Sequence, residues 1–519
     1  MSRIPPDLAR PQVGVRGGPG TRRAAPRRGG GPGPLIVLAV VAFVPALVLY
    51  LVFSWSDDRV SAVDPVPPTP STLVQPAPPP DPLPTDVLTF RRMPAVVSRG
   101  LNVDAFAAEL APFLATLNDR SCAAVSVDGQ AVGATNPELA VIPASNQKLL
   151  VAAVALEVLG ADHTFVTRVA SASPPADGAV DGDLVLVGGG DPLLSSDWYL
   201  TSGLERRPVF DATSLDQLAD GVVAAGVTRV TGDVVGDGAR YDDEFYAPGW
   251  GTGVAGIESG PYDALLVNDA RVLGEDQRAT DPNAAAAREF ARLLRDRGIE
   301  IVGSPVAATP ELGDEPNVVA SIESVPLTAV VAEMLTNSDN NTAELLVKEI
   351  GVASTSGAVG TREAGAAAIT AQLERWGVDV GPIVVADGSG LSLDNRVTCD
   401  ALLDVLQRFD VDGPLGAGLP VAAETGSLAD AFVGHPLAGI LRGKTGTLNN
   451  PPFNADPPAV KALAGYVPVE GGGAVEYALV LNGPTISDQS EYRPLWNSLA
   501  DVLATYPSGP TPADLGLVR

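Results

Sequence analysis

The sequence predicts an α+β protein: an antiparallel sheet flanked by helices, interrupted by a β-rich insertion and held behind an N-terminal transmembrane helix. Three observations support this. Leu35–Trp55 is an uncharged run of 21 residues, long enough to span a bilayer. Near His163 the texture switches from apolar helix to short strands with Gly/Asp turns, and near Val318 it returns to helix. Towards the C-terminus, VKALAGYV and AVEYALVLNG are strand-like runs separated by a glycine-rich turn, a pattern that favours antiparallel pairing.

Residues 1–34 hold seven arginines and one acid, Asp7. They read as a disordered basic head kept in the cytoplasm by the positive-inside rule. The formal net charge is −28, so with about +6 in the head the rest of the chain carries about −34. A body that acidic repels phosphate backbones, which excludes nucleic acid as a partner. Residues 35–55 are expected to be a single uncleaved membrane anchor. The rival, a cleaved signal peptide, would have a shorter apolar core and an A-x-A-like site, and no such site follows. Residues 56–90 form a Pro-rich linker with ten prolines between Pro65 and Pro84. At about 3.1 Å per residue, a semi-rigid tether of roughly thirty residues reaches roughly 90 Å. The folded body is therefore expected outside the cytoplasm, on a single-pass cell-membrane protein.

Within the body, residues 101–118 read as a helix and SCAAVSVDG as a strand ending in an Asp-Gly turn. The helix Ser145–Gly160 is apolar nearly all round and should be buried between layers. DGDLVLVGGGDP and VTGDVVGDGARYDD look alike and hairpin-like. Pro282–Arg297 is a helix with Asp281 as N-cap, Gly298 as stop, and an inward stripe of Ala286, Phe290, Leu293 and Leu294. The body thus divides into a core domain in two pieces, 91–163 and 318–519, with a β-rich insertion at 164–317. Cys122 and Cys399 are the only cysteines. A disulfide and two buried thiols both remain open. His163 and His435 fall in no ligand pattern, so no metal is expected. No cofactor is expected either: Gly188-Gly189-Gly190 lacks the Lys-Ser/Thr of a phosphate loop.

Of the 34 Lys+Arg, only four are lysines: Lys148, Lys348, Lys444 and Lys461. One stands three residues after Ser145 at the start of the greasy helix, on the same face. The plain reading is a capping serine and a lysine reaching for solvent. The chemical reading is a serine nucleophile whose proton is taken by a lysine with a depressed pKa. Burial and a second nearby cation both depress it, and arginine could not substitute because it never releases its proton. Two further motifs supply a relay and a second cation. Ser338-Asp339-Asn340 sits at a helix–helix turn, and Lys444-Thr445-Gly446-Thr447 lies on a strand. Read plainly they are a helix cap and an edge lysine before a turn glycine, yet the three arrive in order and use half the lysines.

Ser145-x-x-Lys148, Ser338-Asp339-Asn340 and Lys444-Thr445-Gly446 resemble the three motifs shared by penicillin-binding proteins and serine β-lactamases. Their separations are 193 and 106 positions. With the large insertion, ADGSGLS at Ala386–Ser392 and GKTGTL…ALAGYV, they narrow the resemblance to low-molecular-mass class C penicillin-binding proteins, which are D-alanyl-D-alanine carboxypeptidase/endopeptidases. It covers about residues 95–505 and implies a DD-peptidase/β-lactamase-like core with the insertion between the first and second motifs. The low-lysine, Ala/Gly/Val-rich composition points to a GC-rich, actinobacterial-like source.

The resemblance implies roles. Ser145 attacks the D-Ala-D-Ala carbonyl and forms an acyl-enzyme, and Lys148 takes its proton. Ser338 relays a proton to the departing amine while Lys444 keeps the local field positive. Asn340 orients Lys148 and the substrate amide. Lys444, Thr445 and Thr447 hold the terminal carboxylate, and Gly446 lets the substrate backbone approach. The backbone N–H groups of Ser145 and Thr447 form the oxyanion hole. The implied partners are the peptidoglycan stem peptide on the cell-wall side and β-lactam inhibitors. The chain departs from the pattern in its anchor, in the insertion NNPPFNADPPAV after the Lys-Thr-Gly strand, and at Leu393, where relatives often carry a basic residue. A β-lactamase is the nearest rival, but no Glu-x-x-Leu-Asn lies between the first two motifs. A rival from another class is a non-catalytic wall-binding scaffold or β-lactam sensor.

Overall fold

The structure, a computed structural model, describes residues 93–516 except 206, 208, 252, 310–311, 313–315, 450–458, 471 and 484–485. The basic head, the expected anchor, the Pro-rich linker and most of NNPPFNADPPAV lie outside the described residues. Among those described, no helix is long and apolar enough to cross a membrane.

The chain opens with helix α1 (Met93–Leu114), which starts earlier than the sequence suggests, followed by strands β1 (Cys122–Val127) and β2 (Gln130–Thr135). Asp128 and Gly129 both take positive φ in the turn between them, as a two-residue hairpin requires. Helix α2 (Gln147–Leu159) follows a single 3-10 turn at Ala144–Asn146. It is buried continuously from Gln147 to Leu156, in line with its all-round apolar sequence. Strands β3 (Val166–Ser171), β4 (Leu184–Val187) and β5 (Val234–Asp237) come next, with α3 (Leu215–Ala224) between the last two. Then follow α4 (Pro282–Asp296), β6 (Pro305–Ala307) and β7 (Asn317–Glu323). Asp281 caps α4 by accepting the Ala284 N–H, and Ala286, Phe290, Leu293 and Leu294 are all buried. The second half brings α5 (Leu327–Asn337), α6 (Asn340–Ser354), α7 (Arg362–Arg375) and α8 (Cys399–Gln407), then β8 (Arg442–Leu448), β9 (Ala459–Pro468), β10 (Ala474–Gly483) and α9 (Gln489–Leu503).

Two sheets organise these elements. In the first, the order β8-β9-β10-β1-β2 is antiparallel throughout, so segments from both ends of the body build one sheet. One face packs on α2, α5, α6 and α8 through residues such as Leu149, Val331, Leu346 and Val405. The other packs on α1 and α9 through Phe106, Leu110, Trp496 and Leu499. The disulfide Cys122–Cys399 ties β1 to the start of α8, with Cα atoms 5.8 Å apart. This decides between the two states the sequence leaves open.

The second sheet has the order β6-β5-β4-β3-β7. It corrects two expectations. The look-alike stretches are not separate hairpins: Leu184–Val187 and Val234–Asp237 lie side by side in parallel. The crossover through α3 makes that possible, since parallel neighbours need a long connection. And Asn317–Glu323 pairs antiparallel with β3, so this sheet extends to 323, past the 317 edge read from texture.

Candidate active site

Ser145 sits in the 3-10 turn that precedes α2, where Ala144 is forced to φ 48°. Its side chain makes no capping bond. From Val141 to Leu150 only Ser145 escapes full burial, so one hydroxyl is offered through an otherwise closed surface. One turn on, Lys148 is fully buried. Its Nζ lies 3.1 Å from Ser145 Oγ, 2.7 Å from Asn340 Oδ1 and 2.7 Å from the carbonyl of Ser389. Burial lowers its pKa to about 8, against the pull of Asp339, Glu344 and Asp387. The plain reading of the pair as helix cap and snorkelling lysine is thereby excluded.

The second motif fills the turn between α5 and α6. Ser338 takes φ 62°, which aims its hydroxyl at the third motif, and Lys444 Nζ donates to Ser338 Oγ over 2.8 Å. Asp339 caps α6 by accepting the Thr342 N–H at 2.6 Å. Asn340 is held at both ends of its amide. The carbonyl oxygen accepts from Lys148, and Nδ2 donates to the Glu258 carbonyl of the insertion at 2.8 Å. Asn341 is gripped as well, its Oδ1 accepting from Ser259 Oγ and the Gly260 N–H and its Nδ2 donating to Asp269. The insertion thus fixes which way the Asn340 amide faces.

The third motif is the edge strand β8. Gly443 donates its N–H to Pro420, away from β9, so the alternate N–H groups of Thr445 and Thr447 point to that same open edge. Thr445 Oγ1 donates to Ser427 Oγ at 2.7 Å. A Cβ on Gly446 would lie 2.8 Å from the Pro143 carbonyl and 3.2 Å from Ala144 Cβ. The glycine is therefore required by the turn carrying Ser145. Lys444 is fully buried and also donates to the Thr445 carbonyl. Burial, Lys148 and Arg207 together push its pKa well below the usual lysine range. The repulsion between the two amines falls on Lys444 because three carboxylates support the charge on Lys148.

The sequence-predicted residues Ser145, Ser338, Asn340, Thr445 and Thr447 line one cleft of about 520 Å³, together with Arg207 and Glu258 from the insertion and Leu391, Lys461 and Arg493 from the core. Lys148, Lys444 and Gly446 are buried, the two lysines bonded to the lining serines Ser145 and Ser338. All four lysines are buried. Lys348 is bonded to the Asp242 and Glu244 carbonyls, and Lys461 lies over the Tyr492 ring, its pKa lowered to about 8 by burial and Arg493. His163 and His435 lie outside the cleft lining.

Sequence reasoning assigned no role to the loop Ala386–Asn395. It supplies the third contact of Lys148 through a backbone carbonyl, which side-chain identity cannot reveal. Asp387 organises the loop by accepting from the N–H groups of Gly390 and Ser392, from Asn395 Nδ2 and from Trp250 Nε1. Glu344 accepts from the Gly388 and Ser389 N–H groups. Gly390 has φ 84°, and any side chain there would run into the Ala144 carbonyl. Leu393, where a basic residue was expected, packs on the core.

Comparison with known proteins agrees with this geometry. The profile of the D-Ala-D-Ala carboxypeptidase 3 (S13) family matches residues 119–275 and 264–505. A D-alanyl-D-alanine carboxypeptidase of an Actinomadura species is 30% identical over 423 residues, spanning 66% of this chain and 73% of the relative. Carboxypeptidase DacB of Mycolicibacterium smegmatis is 30% identical over 476 residues, spanning 87% of this chain and 93% of the relative. Among solved structures, penicillin binding protein 4 of Haemophilus influenzae has the same fold, with a TM-score of 0.61 and 21% identity over 76% of this chain and 98% of its own.

Proposed function

The chain belongs to the D-Ala-D-Ala carboxypeptidase 3 (S13) family, and from that premise we propose that it is a serine D-alanyl-D-alanine carboxypeptidase acting on peptidoglycan stem peptides, with Ser145 as nucleophile. The observation that carries the assignment is the 3.1 Å contact between Ser145 Oγ and the buried amine of Lys148, whose pKa is brought to about 8.

The mechanism runs on one proton shared by two amines. Carboxylates around Lys148 favour the proton there, whereas burial, Lys148 and Arg207 disfavour it on Lys444. The substrate's terminal carboxylate, seated against Thr445, Thr447 and Lys444, draws the proton to Lys444. Like-charge repulsion then leaves Lys148 neutral. Lys148 takes the hydroxyl proton as Ser145 Oγ bonds to the penultimate D-alanine carbonyl carbon. The oxyanion receives the N–H groups of Ser145, free at the start of the helix, and of Thr447 on the open strand edge. As the C–N bond breaks, Ser338 gives its proton to the amine and is refilled by the Lys444 ammonium. Lys148 has gained one proton and Lys444 has lost one, so the site's charge is conserved. Water then hydrolyses the ester: its proton passes through Ser338 to the neutral Lys444 amine, and the Lys148 ammonium returns its proton to the departing Ser145 Oγ. β-Lactams acylate Ser145 by the same path, and a cross-linked stem peptide offers the same bond for endopeptidase action.

The uncharged run Leu35–Trp55 and the proline-dense segment after it support a single-pass anchor with the catalytic body held on the cell-wall side. The test is D-alanine release from a pentapeptide, with Ser145→Ala as control. Release by the wild type alone supports the assignment. Penicillin labelling without release would favour a sensor or scaffold instead.

A further inference from the structure

The insertion places a cation in the cleft. Arg207 lines it beside Ser338, Ser427, Thr445 and Thr447. Its Nη1 lies 3.4 Å from the Asn337 carbonyl, one residue before the relay serine. From there its charge is felt by Lys444. Lys444 itself bonds only to a hydroxyl and a carbonyl, and no carboxylate among the described residues forms an ion pair with it. Of the acids lining the cleft, Asp430 is engaged by Arg493 at 3.3 Å. The relay serine thus has the Lys444 amine on its hydroxyl and the Arg207 guanidinium one residue away, one group from each part of the fold.

We propose that Arg207 is a specificity-determining residue that binds the α-carboxylate of the leaving group opposite Lys444, so that the enzyme selects leaving amines bearing an adjacent free carboxylate. This deepens the carboxypeptidase reading and rests on it. The serine that protonates the departing amine is Ser338, so the atoms next to that amine must lie within the span between Arg207 and Lys444. A guanidinium offers paired N–H donors that match a carboxylate. A terminal D-alanine carries a carboxylate one carbon from the scissile nitrogen, as does a cross-linked residue joined through its α-amine, whereas an amidated end lacks the charge.

The test uses two activated thioesters with the same D-alanyl acyl group, one releasing a thiol acid and the other its neutral methyl ester. kcat/KM is measured for both at pH 7 with wild type, Arg207→Gln and Arg207→Lys, on the full chain. Loss of one charge-assisted contact is expected to lower the preference for the acid over the methyl ester about tenfold in Arg207→Gln, with partial recovery in Arg207→Lys. An unchanged ratio, whether both rates fall together or neither moves, overturns the clamp and leaves the hydrolase assignment standing. A wild type that neither hydrolyses the thioesters nor takes penicillin overturns the assignment, and the clamp with it.

Discussion

The same two thioesters should show opposite pH dependence, because they start from different protonation states of one amine pair. In the free enzyme Lys444 lies well below the usual lysine range and Lys148 titrates at about 8. The proposed mechanism requires the pair to hold one proton near pH 7 and none well above pH 8. The acid substrate needs that proton, since its carboxylate draws it onto Lys444 and so frees Lys148. The methyl ester has no charge to draw it away and reacts only from the form in which Lys148 is already neutral. For an apparent pKa of about 8, the one-proton fraction falls from about nine-tenths at pH 7 to about one-tenth at pH 9, and the empty fraction makes the reverse change. Since kcat/KM reports the free enzyme, it should fall about tenfold for the acid and rise about tenfold for the ester, an inversion of about a hundredfold in their ratio. The assay is initial thiol release at constant ionic strength, corrected for spontaneous hydrolysis. Lys148→Arg should abolish both profiles, because a guanidinium keeps its proton. Profiles that rise or fall in parallel would refute the shared proton.

Removing the Cys122–Cys399 disulfide as the double serine variant should lower stability by about 2–5 kcal/mol, read from denaturant midpoints. Equal midpoints for the wild type before and after reduction would show the bond absent in solution. Gly446→Ala should slow penicillin acylation of Ser145 by about tenfold or more, through displacement of β8 from the Pro143–Ala144 turn. Its stability cost should stay within about 1–3 kcal/mol, so a melt that collapses with the activity would assign the glycine to folding alone.

The parts of the site that were legible in the sequence are those whose chemistry is local. Ser145 and Lys148 share a helical turn, Ser338 and Asn340 a helix junction, and the Lys444 motif a strand, so each declares itself within four residues. The same holds for the α4 helix, whose cap, stripe and stop are all short-range. What stayed hidden depends on distant packing. Ser389 contributes a carbonyl, and Gly446 is small because of Pro143, some three hundred positions away. Leu184–Val187 and Val234–Asp237 look like hairpins because each ends in a Gly-Asp turn, but α3 between them decides the pairing. Arg207 was one arginine among thirty until the fold set it beside Ser338.

The scarcity of lysine now has a physical reason at two of its four positions. A buried cation that must surrender and recover a proton within each turnover has to be an amine, since burial can move a lysine's pKa by several units while a guanidinium stays charged. Arg207, by contrast, keeps its charge, which adds to burial and Lys148 in lowering the pKa of Lys444. Placing the carboxylates behind Lys148 rather than Lys444 then determines where the single proton rests. Had Glu344 and Asp387 stood behind Lys444, Lys148 would be neutral at all times and Ser145 permanently activated. In the proposed mechanism the base appears at neutral pH when a carboxylate occupies the far amine, so that recognition of the substrate's charged end and activation of the nucleophile are one electrostatic event.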